Sequence, residues 1–229
     1  SNTLIYNLKA DGNTSTSSNQ FKTPAGIQVN NGGNATIYFN TISLSGNCLS
    51  SSRASISSCI SICTGASGTF DIRNNILKNA MQPVSGSANS TYGIFTAKPA
   101  SAFSNLDFND YFINGINPNV GYLTTNQASL TNWQTATGKE SQGKNLDPLF
   151  ISSTDLHPQE PLLIGGIQLT DYPTDYSGII RATTPTIGAY ELPQMTTTAA
   201  TEIMAASAVL NGTVNGCSQV VVTSFEYGT

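Results

Sequence analysis

Phe70-Asp71-Ile72-Arg73-Asn74-Asn75-Ile76-Leu77-Lys78-Asn79 is one copy of a unit that returns along the chain. Its segment Ile72-Arg73-Asn74-Asn75-Ile76 has counterparts at Tyr38-Phe39-Asn40-Thr41-Ile42 and Asp107-Phe108-Asn109-Asp110-Tyr111, with a partial copy at Ile5-Tyr6-Asn7. Asn7, Asn40, Asn74 and Asn109 are spaced 33, 34 and 35 residues apart. Ahead of each full copy lies a second apolar run: Gly26-Ile27-Gln28-Val29, Cys59-Ile60-Ser61-Ile62 and Tyr92-Gly93-Ile94-Phe95. Ile27, Ile60 and Ile94 stand 33 and 34 apart. Repetition at such a period is the mark of stacked structural units.

Runs rich in Ile, Tyr, Phe and Val, punctuated by Gly, Asn and Ser, are strands and turns. No helical apolar period persists over residues 1–120. Strands that recur once per repeat stack in parallel, about 4.8 Å apart, and wind into a solenoid with a dry interior. Equivalent asparagines then lie over one another at an inward bend, where their amides bond along the stack and satisfy polar groups that the bend buries. Asparagine also tolerates the left-handed backbone of a tight corner. A unit near 34 residues exceeds what three strands and their corners need, so each coil carries a protruding loop, expected at Asp11–Lys22, Gly46–Ser58 and Pro83–Thr91. An antiparallel sandwich also gives short strands, but it does not return an asparagine to one strand context. A helical repeat is excluded by units poor in Ala, Glu, Lys and Leu.

The pattern changes after Gly121. Ser129 to Gly138 reads as a short helix with Ser129 as N-cap and Gly138 as stop. It carries Trp133, the single tryptophan, which is read as a lid over the last coil; the alternative is an aromatic platform for a sugar ring. Short strands are expected around Leu149–Ile151, Leu163–Leu169 and Ile179–Ile180.

Three stretches resemble the secreted right-handed parallel β-helix proteins common in Bacteroidota: 70–79 with 92–112, SLTNWQTATGKESQGKNLDPLF (129–150), and DYSGIIRATTPTIGAYEL (175–192). EPLLIGG at 160–166 departs from that pattern. The resemblance implies an all-β, pectin-lyase-like solenoid over 1–192, with a C-terminal cap region over about 121–192. Residues 193–201 read as a threonine- and alanine-rich linker. SAVLNGTVN (207–215) and VVVTSFEYGT (220–229) resemble the first strands of a fibronectin type III-like or Ig-like module, incomplete over 202–229. The chain starts inside a coil and stops within a module, and no signal peptide is visible, so it reads as an internal piece of a longer surface protein.

Composition narrows the function classes. Ser, Thr and Asn make up 78 of 229 residues, only 10% are charged, and the net charge is -4. With nine Lys and Arg in all, binding to nucleic acid is disfavoured. No stretch approaches the roughly 20 apolar residues of a membrane span. Four cysteines, Cys48, Cys59, Cys63 and Cys217, form no CxxC pair, and the one histidine, His157, lies far from them, so a zinc site is disfavoured. Cys48–Cys59 is the best disulfide pairing, closing a serine-rich loop; otherwise all four are small buried fillers.

Catalytic constellations are absent from the pattern. There is no GxSxG, His157 sits in a proline-flanked turn, and Gly32-Gly33 and Gly165-Gly166 lack a phosphate-loop context. Asp107 with Asp110, or Asp171 with Asp175, are the oxygen donors open to a calcium ion, but no EF-hand or nonapeptide repeat accompanies them. Asp71 and Arg73 share a strand face and read as an exposed ion pair. No catalytic, cofactor-binding or metal residue is assigned. The leading expectation is a non-catalytic, secreted or cell-surface scaffold or adhesin that contacts polysaccharide or surface glycan and adjoins further domains. The alternatives are a polysaccharide lyase or glycoside hydrolase with its site partly on missing coils, and a mechanical spacer.

Overall fold

The computed structural model describes residues 2–6, 24–47, 56–82, 90–217 and 222–224. Asn7, Cys48, much of the three expected loops and most of 220–229 lie outside the described residues. Each repeat supplies three short strands separated by corners. The first coil holds β1 (Leu4–Tyr6), β2 (Ala25–Val29) and β3 (Ala35–Tyr38). The second holds β4 (Thr41–Asn47), β5 (Ile56–Ile62) and β6 (Phe70–Arg73). The third holds β7 (Ile76–Gln82), β8 (Ser90–Thr96) and β9 (Phe103–Asp107). The fourth adds β10 (Asp110–Ile113) and β11 (Pro118–Leu123), and β12 (Thr125–Gln127) turns back antiparallel on β11.

Like strands of successive coils pair in parallel. The three sheets run β1-β4-β7-β10, β2-β5-β8-β11-β12 and β3-β6-β9. This is a parallel β-helix. Ile27, Ile60 and Ile94 face one another in register, as their spacing requires. Inward side chains from all three sheets build one core, with Ile42, Leu44, Ile60, Ile62, Ile72, Leu77 and Ile94 fully buried. Such a Leu or Ile contributes about 1.5–3 kcal/mol relative to exposure.

The asparagine column is real but shifted by one residue from the even spacing. Thr41 pairs with Ile76, and Ile76 with Asp110, so Asn40, Asn75 and Asn109 form the buried ladder. Asn74 instead aligns with Phe39 and Phe108. All three adopt the left-handed conformation (φ 59°, 53° and 58°), as does Asn2 in the first coil (φ 57°). The corner therefore consists of a left-handed residue followed by an inward asparagine.

The open C-terminal end is closed by α1 (Leu130–Thr137). Ser129 caps it, its Oγ accepting the Asn132 N–H at 3.2 Å, and Gly138 ends it in the left-handed conformation. Trp133 is fully buried. Its ring continues the Phe70–Phe103 stack, edge to face with Phe103 at 6.3 Å. The ring lies so close to Gly121 that a Cβ there would meet it at 2.5 Å. Trp133 is a lid, and the platform alternative falls.

Residues 146–192 form a strap rather than the expected strands. Among them are only a 3-10 turn at Pro161–Leu163 and isolated bridges, Ile164 to Thr186 and Thr174 to Ile180. Prolines interrupt any ladder, and Glu160 and Asp175 satisfy local N–H groups instead: Glu160 accepts from Leu162, Asp175 from Ser177 and Ile179. The strap runs back over the left-handed corners. Asn74 makes paired bonds with the Ile167 backbone (2.9 and 2.8 Å), and Asn2 donates to the Thr174 carbonyl at 2.8 Å. The Arg181 guanidinium lies 3.8 Å above the Phe39 ring and bonds Glu191 at 2.6 Å and Asn2 at 2.8 Å. Leu163, Ile187 and Leu192 pack with Ile76 into a second, smaller core.

Beyond the strap, β13 (Gln194–Thr201) and β14 (Val209–Asn215) form an antiparallel hairpin. Residues 194–201, expected as linker, are thus a strand: alternating threonines suit a pleated surface, and Thr196 and Thr213 bond across it.

The cysteines do not follow the best pairing. Cys59 is a free, fully buried thiol facing the Lys78 carbonyl at 3.4 Å, so the Cys48–Cys59 bridge is not made. Burial pushes its thiol well above the ordinary range. Cys63 is also buried and donates to Asn30 Oδ1 at 3.1 Å. Both act as small fillers, whereas Cys217 is only half-buried, against the Leu192 carbonyl.

Candidate functional site

The outer face of the β3-β6-β9 sheet gathers the polar side chains. Two columns cross the three coils there: Thr36, Asp71 and Asn105, and beside them Tyr38, Arg73 and Asp107. A bulge at Ser104 brings Asn105 into line. Asp71 and Arg73 form a two-pronged pair, Nε to Oδ1 at 2.7 Å and Nη2 to Oδ2 at 2.8 Å, on the shared face that the strand periodicity implied, but part-buried rather than exposed. Arg73 also donates to the Tyr38 hydroxyl at 3.3 Å, and Asn105 donates to Asp71 at 2.7 Å. Burial pulls the Arg73 pKa down, but the bonds to Asp71 and Tyr38 outweigh it, and the guanidinium is held more firmly charged than usual. Burial, with the Asp71 charge, pushes the Tyr38 phenol up.

A cavity of about 380 Å³ opens beside these columns, lined by Arg73, Asn105, Asp107, Phe108 and Lys139 together with Ile167 of the strap. Each wall has a local cause. Phe108 occupies the left-handed corner after β9, and its Phe39 and Asn74 equivalents are the corners covered by the strap. Asp107 anchors the segment after α1, accepting the Gln142 N–H at 2.7 Å and the Ser141 hydroxyl at 3.1 Å. Lys139 follows the Gly138 helix stop and is half-buried.

The calcium candidates do not converge. Asp107 is turned to residues 141 and 142, whereas Asp110 is fully buried with Oδ1 on the Leu146 N–H at 2.9 Å. Asp175 is consumed by backbone N–H groups, including that of Glu191 at 2.9 Å, and Asp171 is exposed. No group of three or more His, Cys, Asp or Glu side chains suited to a metal ion occurs among the described residues. His157 stacks on Tyr190 at 3.7 Å and contacts Asp155 at 2.5 Å. Its hydrogen bonds hold the Asp155 carboxyl below the usual carboxylate range. No helix among the described residues is long and apolar enough to cross a membrane.

Sequence reasoning singled out Asp71 and Arg73 as an ion pair and Asp107 as a calcium donor without assigning any of them to a site, and it gave no role to Asn75, Phe108, Lys139 or Glu140. Asn75 and Phe108 were present in the repeat and could have been found by aligning the copies at Thr41, Ile76 and Asp110. Nothing in the local sequence marks Glu140.

No family model matches the chain, and neither a curated protein nor a solved structure matches it. The class is therefore set by the architecture itself: a parallel β-helix with a helical lid, a C-terminal strap and a polar groove on one outer sheet.

Proposed function

We propose that this chain is a non-catalytic, extracellular or cell-surface scaffold that contacts glycan through the groove beside Arg73 and Phe108. The observation that carries this reading is the cavity of about 380 Å³, in which an aromatic ring stands among amide, hydroxyl and charged groups. Small-ligand sites have about 300–1,000 Å³ and combine such an apolar surface with a few placed polar groups. A sugar ring offers the complementary pair, an apolar C–H face and a hydroxyl rim. Two charged groups of the groove are committed to structural bonds, Arg73 to Asp71 and Asp107 to residues 141 and 142, which suits fixed recognition more than proton transfer. The β13–β14 hairpin, with Met195, Val209, Leu210 and Val214 exposed, supports the reading of a fibronectin type III-like module beginning here, and with it a multidomain surface protein.

A glycan array followed by calorimetry tests the proposal. Wild type is expected to bind at least one glycan class, and Phe108→Ala to weaken that binding about five- to tenfold, as lost stacking of about 1–1.4 kcal/mol implies. No binding on the array favours a mechanical spacer. Release of unsaturated oligosaccharides from a polyuronide panel favours a lyase.

A further inference from the structure

The layer that closes the solenoid buries a carboxylate without a counter-charge. Glu140 is 0% exposed. It takes the place of the next ladder asparagine: Oε1 accepts the Asn109 N–H at 2.9 Å, and the Asn109 side-chain amide reaches Oε2 at 3.1 Å. The Tyr111 hydroxyl lies 2.6 Å from Oε2, and Trp133 Nε1 donates to that hydroxyl at 3.3 Å. Gln134 of α1 donates to the Glu140 carbonyl at 2.8 Å, and the Glu140 N–H bonds the Leu106 carbonyl at 2.8 Å.

None of these partners is a cation. From β9 the charged group that acts on Glu140 is Asp107, of like sign; from β10 it is the neutral phenol of Tyr111; α1 contributes only Trp133 and Gln134. Lys139 is its chain neighbour and lines the groove. Asp110 and Lys144 lie in the same layer, bridged to each other through their backbones. An ionised carboxylate with no cation is costly in such a place, whereas the neutral acid is not.

We propose that Glu140 is a proton-operated latch: it holds a proton while α1 and residues 138–142 are docked, and gives it up to solvent when they lift. Burial outweighs the Tyr111 and Asn109 hydrogen bonds, which favour the ionised form, and with the like charge of Asp107 raises the docked carboxyl to about 7, against 4.5 for an ordinary one. The docked form therefore binds the extra proton, so docking is strongest at acid pH and weakens as pH rises through about 7. Gly138, Lys139 and Ser141 belong to the same segment and wall the groove, so the groove changes shape with the latch. The latch itself does not depend on what the groove binds.

Trp133 is the single tryptophan, which makes the lid directly observable. The experiment follows amide exchange over Leu130–Thr137, corrected for intrinsic rates, together with tryptophan fluorescence, in the full chain from pH 6 to pH 8.5. Opening is expected to rise about tenfold in wild type over this range, which is what a shift from 4.5 to about 7 gives. Glu140→Gln removes the titration and is expected to give a flat profile, while Asp110→Asn keeps the rise. A flat wild-type profile overturns the latch, and so does a rise that survives in Glu140→Gln. If Glu140→Gln does not fold, carbon NMR titration of the Glu140 carboxyl decides, and a midpoint below pH 5.5 overturns the proposal.

Discussion

The side-chain amide of Asn75 donates to Asn109 Oδ1 at 2.8 Å, and the Asn75 backbone N–H reaches the same oxygen at 3.0 Å. Asn40 repeats this toward Asn75 at 2.9 and 3.0 Å, and Thr3 N–H begins the series on Asn40 Oδ1. Every amide thus points the same way along the stack. Each bond polarises the next, and the series ends on the side-chain carboxyl of Glu140, whose Oε1 accepts the Asn109 N–H.

Replacing the middle of this ladder should be severe. Asn75→Ala leaves the Asn40 N–H and side-chain amide without an acceptor, and exposes the Ile37 carbonyl to no donor. Each orphaned buried group costs about 1–3 kcal/mol, so a loss of about 4 kcal/mol in urea unfolding is expected. Asn74→Gly, one residue away, keeps the left-handed corner and loses only the bonds to Ile167. It should speed exchange at the Ile167 amide while moving the global midpoint by about 1 kcal/mol or less. Equal effects from the two variants would contradict the assigned register.

That one-residue distinction marks how far the sequence could be read. The repeat period, the Ile27–Ile60–Ile94 register, the helix with its Ser129 and Gly138 caps, and the Trp133 lid were all legible, because each rests on local pattern. The Asn74–Asn75 doublet was ambiguous: both fit the spacing. The true corner places phenylalanines, Phe39 and Phe108, in the left-handed position where asparagine is the expected choice. The strap misled because Leu163–Leu169 and Ile179–Ile180 look like strands, yet the Leu163 and Ile164 N–H groups close a 3-10 turn on the Glu160 and Pro161 carbonyls, Ile167 bonds the Asn74 corner, and the Ile179 N–H goes to the Asp175 carboxylate. Glu140 was invisible. A carboxylate after a helix stop reads as solvated, and only the stacking of the fourth coil takes it out of water.

The lid and the glycine beneath it form a size-matched pair. Trp133→Ala removes a fully buried indole and should cost about 3–5 kcal/mol. Gly121→Ala places a methyl group into the ring and should cost about 1–3 kcal/mol. The ring is the obstacle, so Gly121→Ala should cost little in the Trp133→Ala background. A double-mutant cycle by urea unfolding reads this coupling directly, and additive losses would show that the glycine answers to something else.

The strap is pinned to the first two coils by Arg181. Its guanidinium is buried between Phe39, Glu191 and Asn2, and burial lowers its pKa even though Glu191 supports the charge. Truncation to alanine leaves Glu191 buried with its cation gone, which typically costs 3–5 kcal/mol. Arg181→Ala should therefore release the strap before the coils unfold. Limited proteolysis is expected to cut within residues 168–182, leaving a trimmed solenoid whose Trp133 fluorescence is unchanged. Cleavage that begins in the coils would place the weak point elsewhere.

Global stability should also depend on pH in a sense unusual for carboxylates. Asp110 is fully buried, its Oδ2 has no bonding partner, and burial raises it to about 7 despite the Leu146 N–H and Lys144. Glu140 is raised to the same region. A carboxyl raised on folding binds its proton more tightly in the native state. Its contribution is fully present below the ordinary carboxylate range and is lost as pH climbs through about 7. Each group can contribute on the order of 3 kcal/mol across that window. Thermal melts are expected to show a lower Tm at pH 8.5 than at pH 6. Glu140→Gln should remove a large part of that drop. A Tm that rises over the same range would mean that both carboxylates stay ionised in the folded chain, stabilised by donors strong enough to outweigh their burial.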